Sequence, residues 1–229
     1  MIPRSMLAAI AEQRPSLEEL YQHLHAHPEL SDQEVNTAAR MAAEMRDLGL
    51  EVHEQVGDST GVVAFLRNGQ GPTVLLRADM DGLPVEEDEK VPYRSQARGT
   101  WEGNDVAVMH ACGHDTHMTS LVGAMRVLFE HRELWSGPVV AASQPAEEIV
   151  TGAAGMVEAV KTLVGSVDIG LGQHLWGIPA GAVTANPGPM MASVDGIEVT
   201  IHGRGGHGSQ PDQCLDPVVL GAHVVTRLQ

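Results

Sequence analysis

Apolar positions along the chain switch repeatedly between helical and strand spacing. Ser16-Leu17-Glu18-Glu19 has the form of a capping box, opening a helix that carries Leu20, Leu24 and His27 and stops at Pro28. Ser31-Asp32-Gln33-Glu34 is a second box; behind it Val35, Ala38, Ala39, Ala42, Met45 and Leu48 follow at intervals of three and four until Gly49 closes the helix. Short apolar runs over Gly61 to Leu66 and Thr73 to Arg77, bounded by Gly, Asn or Pro, read as strands. From Asp115 to Phe129, Met118, Leu121, Val122, Met125, Leu128 and Phe129 share one face, which predicts a helix whose N-terminus presents the residues before it. Val139 to Ser143 is a further strand, Gly152 to Val160 a helix and Asp168 to Gln173 a strand. The alternation predicts an α/β fold, a mostly parallel sheet covered by helices.

After about Pro189 the pattern changes. Ser193 to His202 carries Val194, Ile197, Val199 and Ile201, the last three in strict alternation, and the glycine-rich turn 203–208 follows. Asp216 then caps a helix with Pro217 in its first turn, and Val218, Val219, Ala222, Val225 and Leu228 lay down an apolar stripe. One strand and one helix cannot bury that stripe. Residues 1–189 therefore read as the first segment of one domain and 190–229 as the start of another, in a fragment of a longer protein.

Composition narrows the choices. A formal charge of −16 leaves no basic stripe for nucleic acid, and bound cations would offset some of the acidity. No run is long enough to span a membrane, and the apolar residues Met6 to Ile10 are interrupted by Glu12, Gln13 and Arg14 well short of a secretory core. The expectation is a cytoplasmic protein, where a cysteine among histidines is more often a metal ligand than half of a disulfide.

Such a cysteine exists. His110, Cys112, His114 and His117 fall within nine residues, and Gly113 lets Cys112 and His114 turn sulfur and nitrogen to one point. Three further polar clusters follow apolar strands: Arg77 to Asp81, Gln144 to Glu148, and Gln173-His174. In open α/β sheets ligands bind beyond the carboxyl ends of strands, so these clusters can meet. Cys112, His114, Glu148 and His174 would offer donors to one or two divalent ions, and a glutamate among them favours a catalytic over a structural site. Glu147 could then stand over the attacking water as general base.

Asp79 suits an outer role, accepting an N–H from a ligand imidazole. Asp115 fits that role and a helix N-cap equally. His110 and His117 read as ligands, supporting residues or core histidines; His23, His25 and His27 read as surface or packing residues at a helix end. Cys112 acting as a nucleophile with His114 would leave the Glu147-Glu148 pair without a task.

These motifs resemble the aminoacylase-type metallopeptidase family, in particular its amidohydrolase branch of hippurate hydrolases, N-acyl-amino-acid amidohydrolases and auxin-conjugate hydrolases. The resemblance rests on five ordered motifs: residues 27–30 (HPEL), 77–85 (RADMDGLPV), 109–117 (MHACGHDTH), 144–148 (QPAEE) and 205–208 (GGHG). It implies a zinc-exopeptidase-like catalytic domain in which Cys112, His114, Glu148 and His174 hold two divalent ions, zinc, manganese, cobalt or nickel, and Glu147 is the base. Arg77 stands where many relatives carry a metal-binding histidine and is not counted a ligand. The resemblance further implies an inserted α+β lid or dimerisation domain beginning near residue 190. His207 would reach from it into a partner subunit's site and hold the substrate carbonyl; Asp212 departs from the histidine frequent in relatives. A last histidine ligand is expected on a return segment this sequence does not contain. The implied protein is a homodimer acting on small N-acyl amino acids, with a non-catalytic fragment or paralogue as the alternative.

Overall fold

The computed structural model describes residues 3–193 and 196–228. It divides into two compact units, one up to Gly177 and one from Ile178. The first contains a five-stranded sheet built from β1 (Glu51–Val56), β2 (Gly61–Leu66), β3 (Val74–Asp79), β6 (Val139–Gln144) and β7 (Ile169–Gly172), in the order β1-β2-β6-β3-β7. β3 pairs in parallel with both β6 and β7, while β2 pairs antiparallel with β1 and β6, so four strands point one way and β2 alone opposes them.

β2 is buried along its whole length and β6 up to its last residue, so each feeds both faces of the sheet. On one face Val62, Ala64, Leu66, Val139 and Ala141 pack with α1 (Arg4–Ala26), α2 (Val35–Asp47) and α3 (His114–Glu130) through Leu20, Leu24, Met41, Met45, Met118 and Val122. On the other, Val63, Phe65, Val140 and Ala142 meet Met156 and Val160 of α4 (Gly152–Val164). The covered mixed sheet agrees with the sequence pattern. A separate hairpin, β4 (Arg98–Trp101) and β5 (Asn104–Ala107), was not expected; Glu102 and Gly103, both at positive φ, make its two-residue turn.

Both expected capping boxes are corrected. α1 begins at Arg4 and runs through Pro15, so Ser16 lies inside it and donates to the Gln13 carbonyl. α2 begins at Val35, and Ser31 gives its hydroxyl proton to Asp81 instead. The exposed first amides of α2 are capped from outside by the Glu29 carboxylate, which accepts the N–H groups of Asn36 and Thr37. Gly49, at φ +73°, follows the last turn of α2 as expected.

In the second unit α5 (Pro217–Leu228) starts as predicted, Asp216 Oδ1 accepting the Val218 N–H at 2.9 Å. The strand expected over 193–202 does not form among the described residues, and Val194 lies outside them. Nothing described pairs with Ile197 to Ile201, and an unpaired strand leaves half its ladder unsatisfied. No described helix is long and apolar enough to cross a membrane.

Candidate metal centre

The site is assembled by topology. Asp79 ends β3 opposite Gln144, the last residue of parallel β6, so the 79–81 and 144–148 segments leave the sheet side by side. β7 lies on the other edge of β3 and delivers His174 two residues beyond its end. α3 brings its N-terminus to the same place, with Gly113 as N-cap at φ +83°. That conformation favours glycine, while an added Cβ would stand 2.9 Å from Leu175 Cδ2, the movable end of a side chain.

His114 sits at the centre, wholly buried. Its Nε2 faces three carboxylate oxygens, Asp79 Oδ2 at 3.6 Å, Glu147 Oε2 at 3.7 Å and Glu148 Oε1 at 3.7 Å. Its Nδ1 faces Asp81 Oδ1 at 3.4 Å, too poorly aligned for a hydrogen bond. Both ring nitrogens, Asp81 Oδ1 and Glu148 Oε1 are buried without hydrogen-bond partners among the described residues. Buried polar atoms are rarely left in this condition. Cys112 Sγ, a nitrogen of His114 and an oxygen of Glu148 all lie within 4.8 Å of one another, and His174 Nε2 is 3.3 Å from Cys112 Sγ. His174 donates from Nδ1 to the Leu175 carbonyl at 2.6 Å, which leaves Nε2 as the bare lone pair facing the sulfur.

Electrostatics agree with a cation here. Burial opposes the charge on Asp79, yet His117, His114 and Arg77 outweigh it and hold its pKa at about 2. Burial opposes the charge on Asp81 as well, and His114, Ser31 and the Glu148 amide overcome it, so its pKa is lowered. Burial alone would make His114 less basic, but Asp81 and Asp79 raise its pKa instead. Burial pushes Cys112 up to about 12, reinforced by Glu148, so without a cation the thiol stays protonated and is a poor nucleophile. Orphaned nitrogen and oxygen donors, a thiol and an excess of carboxylate fit a divalent metal.

Other expected residues are deployed differently. Asp79 accepts the Nδ1–H of His117 at 2.6 Å and an N–H of Arg77 at 2.7 Å. His117 Nε2 accepts the Leu175 N–H at 2.7 Å, so neither of its nitrogens is free for a metal. His110 donates to the Asp81 carbonyl, and burial lowers it to about 4, so it is neutral. Asp115 is not the N-cap of α3: it lies inside the first turn, where Oδ1 accepts the Thr116 N–H and Oδ2 binds His25 at 2.6 Å. His207, in the second unit, is exposed, and its Nδ1 accepts the Ser209 N–H at 3.2 Å, which places its proton on Nε2.

The carboxylate that faces the outer nitrogen of His114 is Asp81, which sequence reasoning had left without a role. Asp79 and Asp81 are two apart on an extended segment and face the same way, a signal that was available. His25 was also missed; it is buried between Asp115 and Glu87, at 2.6 Å from each.

An α/β fold with metal donors at the carboxyl ends of adjacent strands defines a class of metal-centred hydrolases and their structural kin. The sequence profile of peptidase family M20/M25/M40 matches residues 75–222, and the chain belongs to that family. It is 41% identical over 209 residues to thermostable carboxypeptidase 2 of Saccharolobus solfataricus, covering 90% of this chain and 51% of that protein. It is 40% identical over 211 residues to the N-acyl-L-amino acid amidohydrolase of Geobacillus stearothermophilus, covering 90% and 54%. The chain thus spans about half the length of the curated relatives it matches. A dinuclear metal binding peptidase of the M20 family from Bacillus subtilis superposes with a TM-score of 0.62 at 34% identity, covering 70% of this chain and 42% of its own. A crystal structure from methicillin resistant Staphylococcus aureus gives 0.78 at 31% identity, covering 100% and 59%.

Proposed function

We propose that this chain carries the first catalytic segment, residues 1–189, and the start of the lid or dimerisation domain, 190–229, of a metal-dependent amidohydrolase. Its substrates are N-acyl amino acids or similar small conjugates. Supporting this are the names of relatives that match over 90% of the chain, an N-acyl-L-amino acid amidohydrolase and an N-acetylcysteine deacetylase. The observation that carries it is the unpartnered pair of nitrogens on buried His114, ringed by Glu147, Glu148 and Asp79.

Cys112, His114, Glu148 and His174 would hold two divalent ions. Bound there, such ions supply Lewis-acid polarisation of an amide carbonyl and make water a stronger acid. Glu147 stands beside the donor set without needing to belong to it. Its Oε2 takes the proton from the attacking water and returns it to the leaving amine nitrogen. Asp81 keeps the His114 ring turned so that Nε2 faces inward. His207, with its proton on Nε2, is a donor for the oxyanion in a partner subunit's site.

In the full-length protein, Glu147→Gln is expected to keep bound metal and to abolish turnover of N-acetyl and N-benzoyl amino acids, whereas Cys112→Ala is expected to lose metal. Elemental analysis of protein purified without added metal, beside an amide-hydrolysis assay, reads both. Retained turnover in Glu147→Gln overturns the base assignment.

A further inference from the structure

The Glu147-Glu148 pair sits in a strained turn, and a buried carboxylate from a distant part of the chain grips that turn. Ala146, wholly buried, has φ +50°, the left-handed region that costs a residue with a Cβ about 1 kcal/mol or more. Val150 is also left-handed, at φ +59°. Such a turn persists only if its surroundings over-determine it. Its own bonds run from the Thr151 and Val150 amides to the Ala146 and Glu147 carbonyls, which leaves the Ala146 N–H to be satisfied from elsewhere. Glu34 satisfies it. Its side chain is fully buried, Oε1 accepts the Ala146 N–H at 2.8 Å, and Oε2 accepts the Thr60 hydroxyl at 2.8 Å.

Three residues earlier the same segment reaches the other glutamate. Ser31 donates to Asp81 Oδ2 at 2.7 Å, and that oxygen also accepts the Glu148 N–H at 3.0 Å. Glu34 is the N-cap of α2, whose Met41 and Met45 are locked in the core, so the grip has a rigid base. A polar side chain this deeply buried, bonded to a strained backbone beside the reacting groups, is more than helix capping requires; its side chain makes no cap bond to α2.

We propose that Glu34 is a positioning residue: through the Ala146 amide it fixes the Glu147-Glu148 turn, with Ser31 and Asp81 holding the second glutamate through its backbone N–H. The turnover and Co2+ arms of the test rest on the metal-hydrolase reading above; the exchange arm does not.

The 229-residue chain and its Glu34→Gln and Glu34→Asp variants are compared, loaded with Co2+, by visible absorption, by hydrogen exchange over residues 144–150, and by hydrolysis of N-acetyl amino acids. The carboxamide keeps an acceptor oxygen for Ala146, so Glu34→Gln is expected to stay within about threefold of the parent in exchange and turnover, as the loss of less than one net hydrogen bond allows. Glu34→Asp withdraws the oxygen by one methylene. It is expected to speed exchange at 144–150 about tenfold, as one lost hydrogen bond would. It should also alter the Co2+ spectrum and lower kcat about 100-fold with KM nearly unchanged, as misplacement by about 1 Å would.

A carboxylate that merely supported the fold would lower the melting temperature, spread the exchange increase through α2 and leave the Co2+ spectrum alone; that result overturns the proposal. Parent-like exchange at 144–150 in Glu34→Asp overturns it too. If Glu34→Asp does not fold, Thr60→Val frees the other carboxylate oxygen and should speed the same exchange about threefold, a fraction of one hydrogen bond; no change counts against the grip. If the parent chain hydrolyses no amide, only the turnover arm is lost, and exchange at 144–150 still decides the role of Glu34.

Discussion

Replacing His25 with alanine should cost far more stability than its place at a helix end suggests. The ring lies in the last turn of α1, 8% exposed, with Nδ1 on Asp115 Oδ2 and Nε2 on Glu87 Oε1, each at 2.6 Å. Two carboxylate partners require both ring nitrogens to donate, which is the imidazolium form. Burial by itself would lower the His25 pKa, but the hydrogen bonds to Asp115 and Glu87 more than offset it, and the net shift is upward. Removing the ring leaves two buried carboxylates facing each other, a loss of about 3–5 kcal/mol for a broken buried pair. The lower part of that range applies, because Glu87 keeps the Ser95 N–H and Asp115 keeps the Thr116 N–H. Lost packing against Tyr21 and Tyr93, with ring centroids at 5.4 and 5.2 Å, adds about 1 kcal/mol. A total near 4 kcal/mol corresponds to a fall in Tm of about 8–16 °C for a chain of this size. Because the folded pKa is raised, the His25 contribution is complete below the unfolded value of about 6.5 and is lost as pH rises through the folded value. Thermal unfolding followed by circular dichroism between pH 5.5 and about pH 9 should therefore show a gap that narrows on the alkaline side. His23→Ala in the last turn of the same helix and His27→Ala at its C-cap, both exposed, should stay within about 0.5 kcal/mol of the parent. A His25→Ala loss below about 1 kcal/mol, or a gap that widens with pH, would refute the buried imidazolium.

Asp81→Asn removes the charge facing His114 Nδ1 and should weaken metal binding about 10–100-fold in chelator competition. Unchanged affinity would mean that His114 is oriented by other contacts. Gly152→Ala would put a Cβ 1.9 Å from the Pro145 carbonyl, a backbone atom that cannot move without disturbing the 145–152 turn. A loss of about 3 kcal/mol is expected from the urea midpoint, while Gly170→Ala, with nothing within 4 Å, serves as the matched control.

What the sequence revealed and what it hid differ by the distance over which the partners act. The apolar runs of β2, β3 and β6 and the stripe of α3 were legible because burial on the sheet faces requires them. Cys112 and His114 stood out through local spacing, and the Glu147-Glu148 pair and His174 through their places after apolar strands. The β4–β5 hairpin had no comparable signal, since its residues are half-exposed or exposed throughout. Ser31 and Glu34 illustrate the harder case. They form a good capping box, yet their partners lie 50 and 112 residues away, so the local rule read the right residue types and assigned them the wrong bonds. His25 is similar, with its two carboxylates 62 and 90 residues distant.

The acidity of the chain acquires a location once these bonds are traced. Asp79, Asp81, Glu147 and Glu148 converge on one buried imidazole, and Arg77 is the one arginine or lysine that pairs with any of them among the described residues. Self-repulsion within such a cluster works against folding unless a cation is present. The bonds that hold the cluster together, from Ser31 to Asp81, from Glu34 to Ala146 and from Asp81 to the Glu148 amide, are therefore made against that repulsion. On the proposed function, metal binding and folding of the 144–148 turn would be coupled for this reason: a cation at His114 would relieve the repulsion that the network opposes.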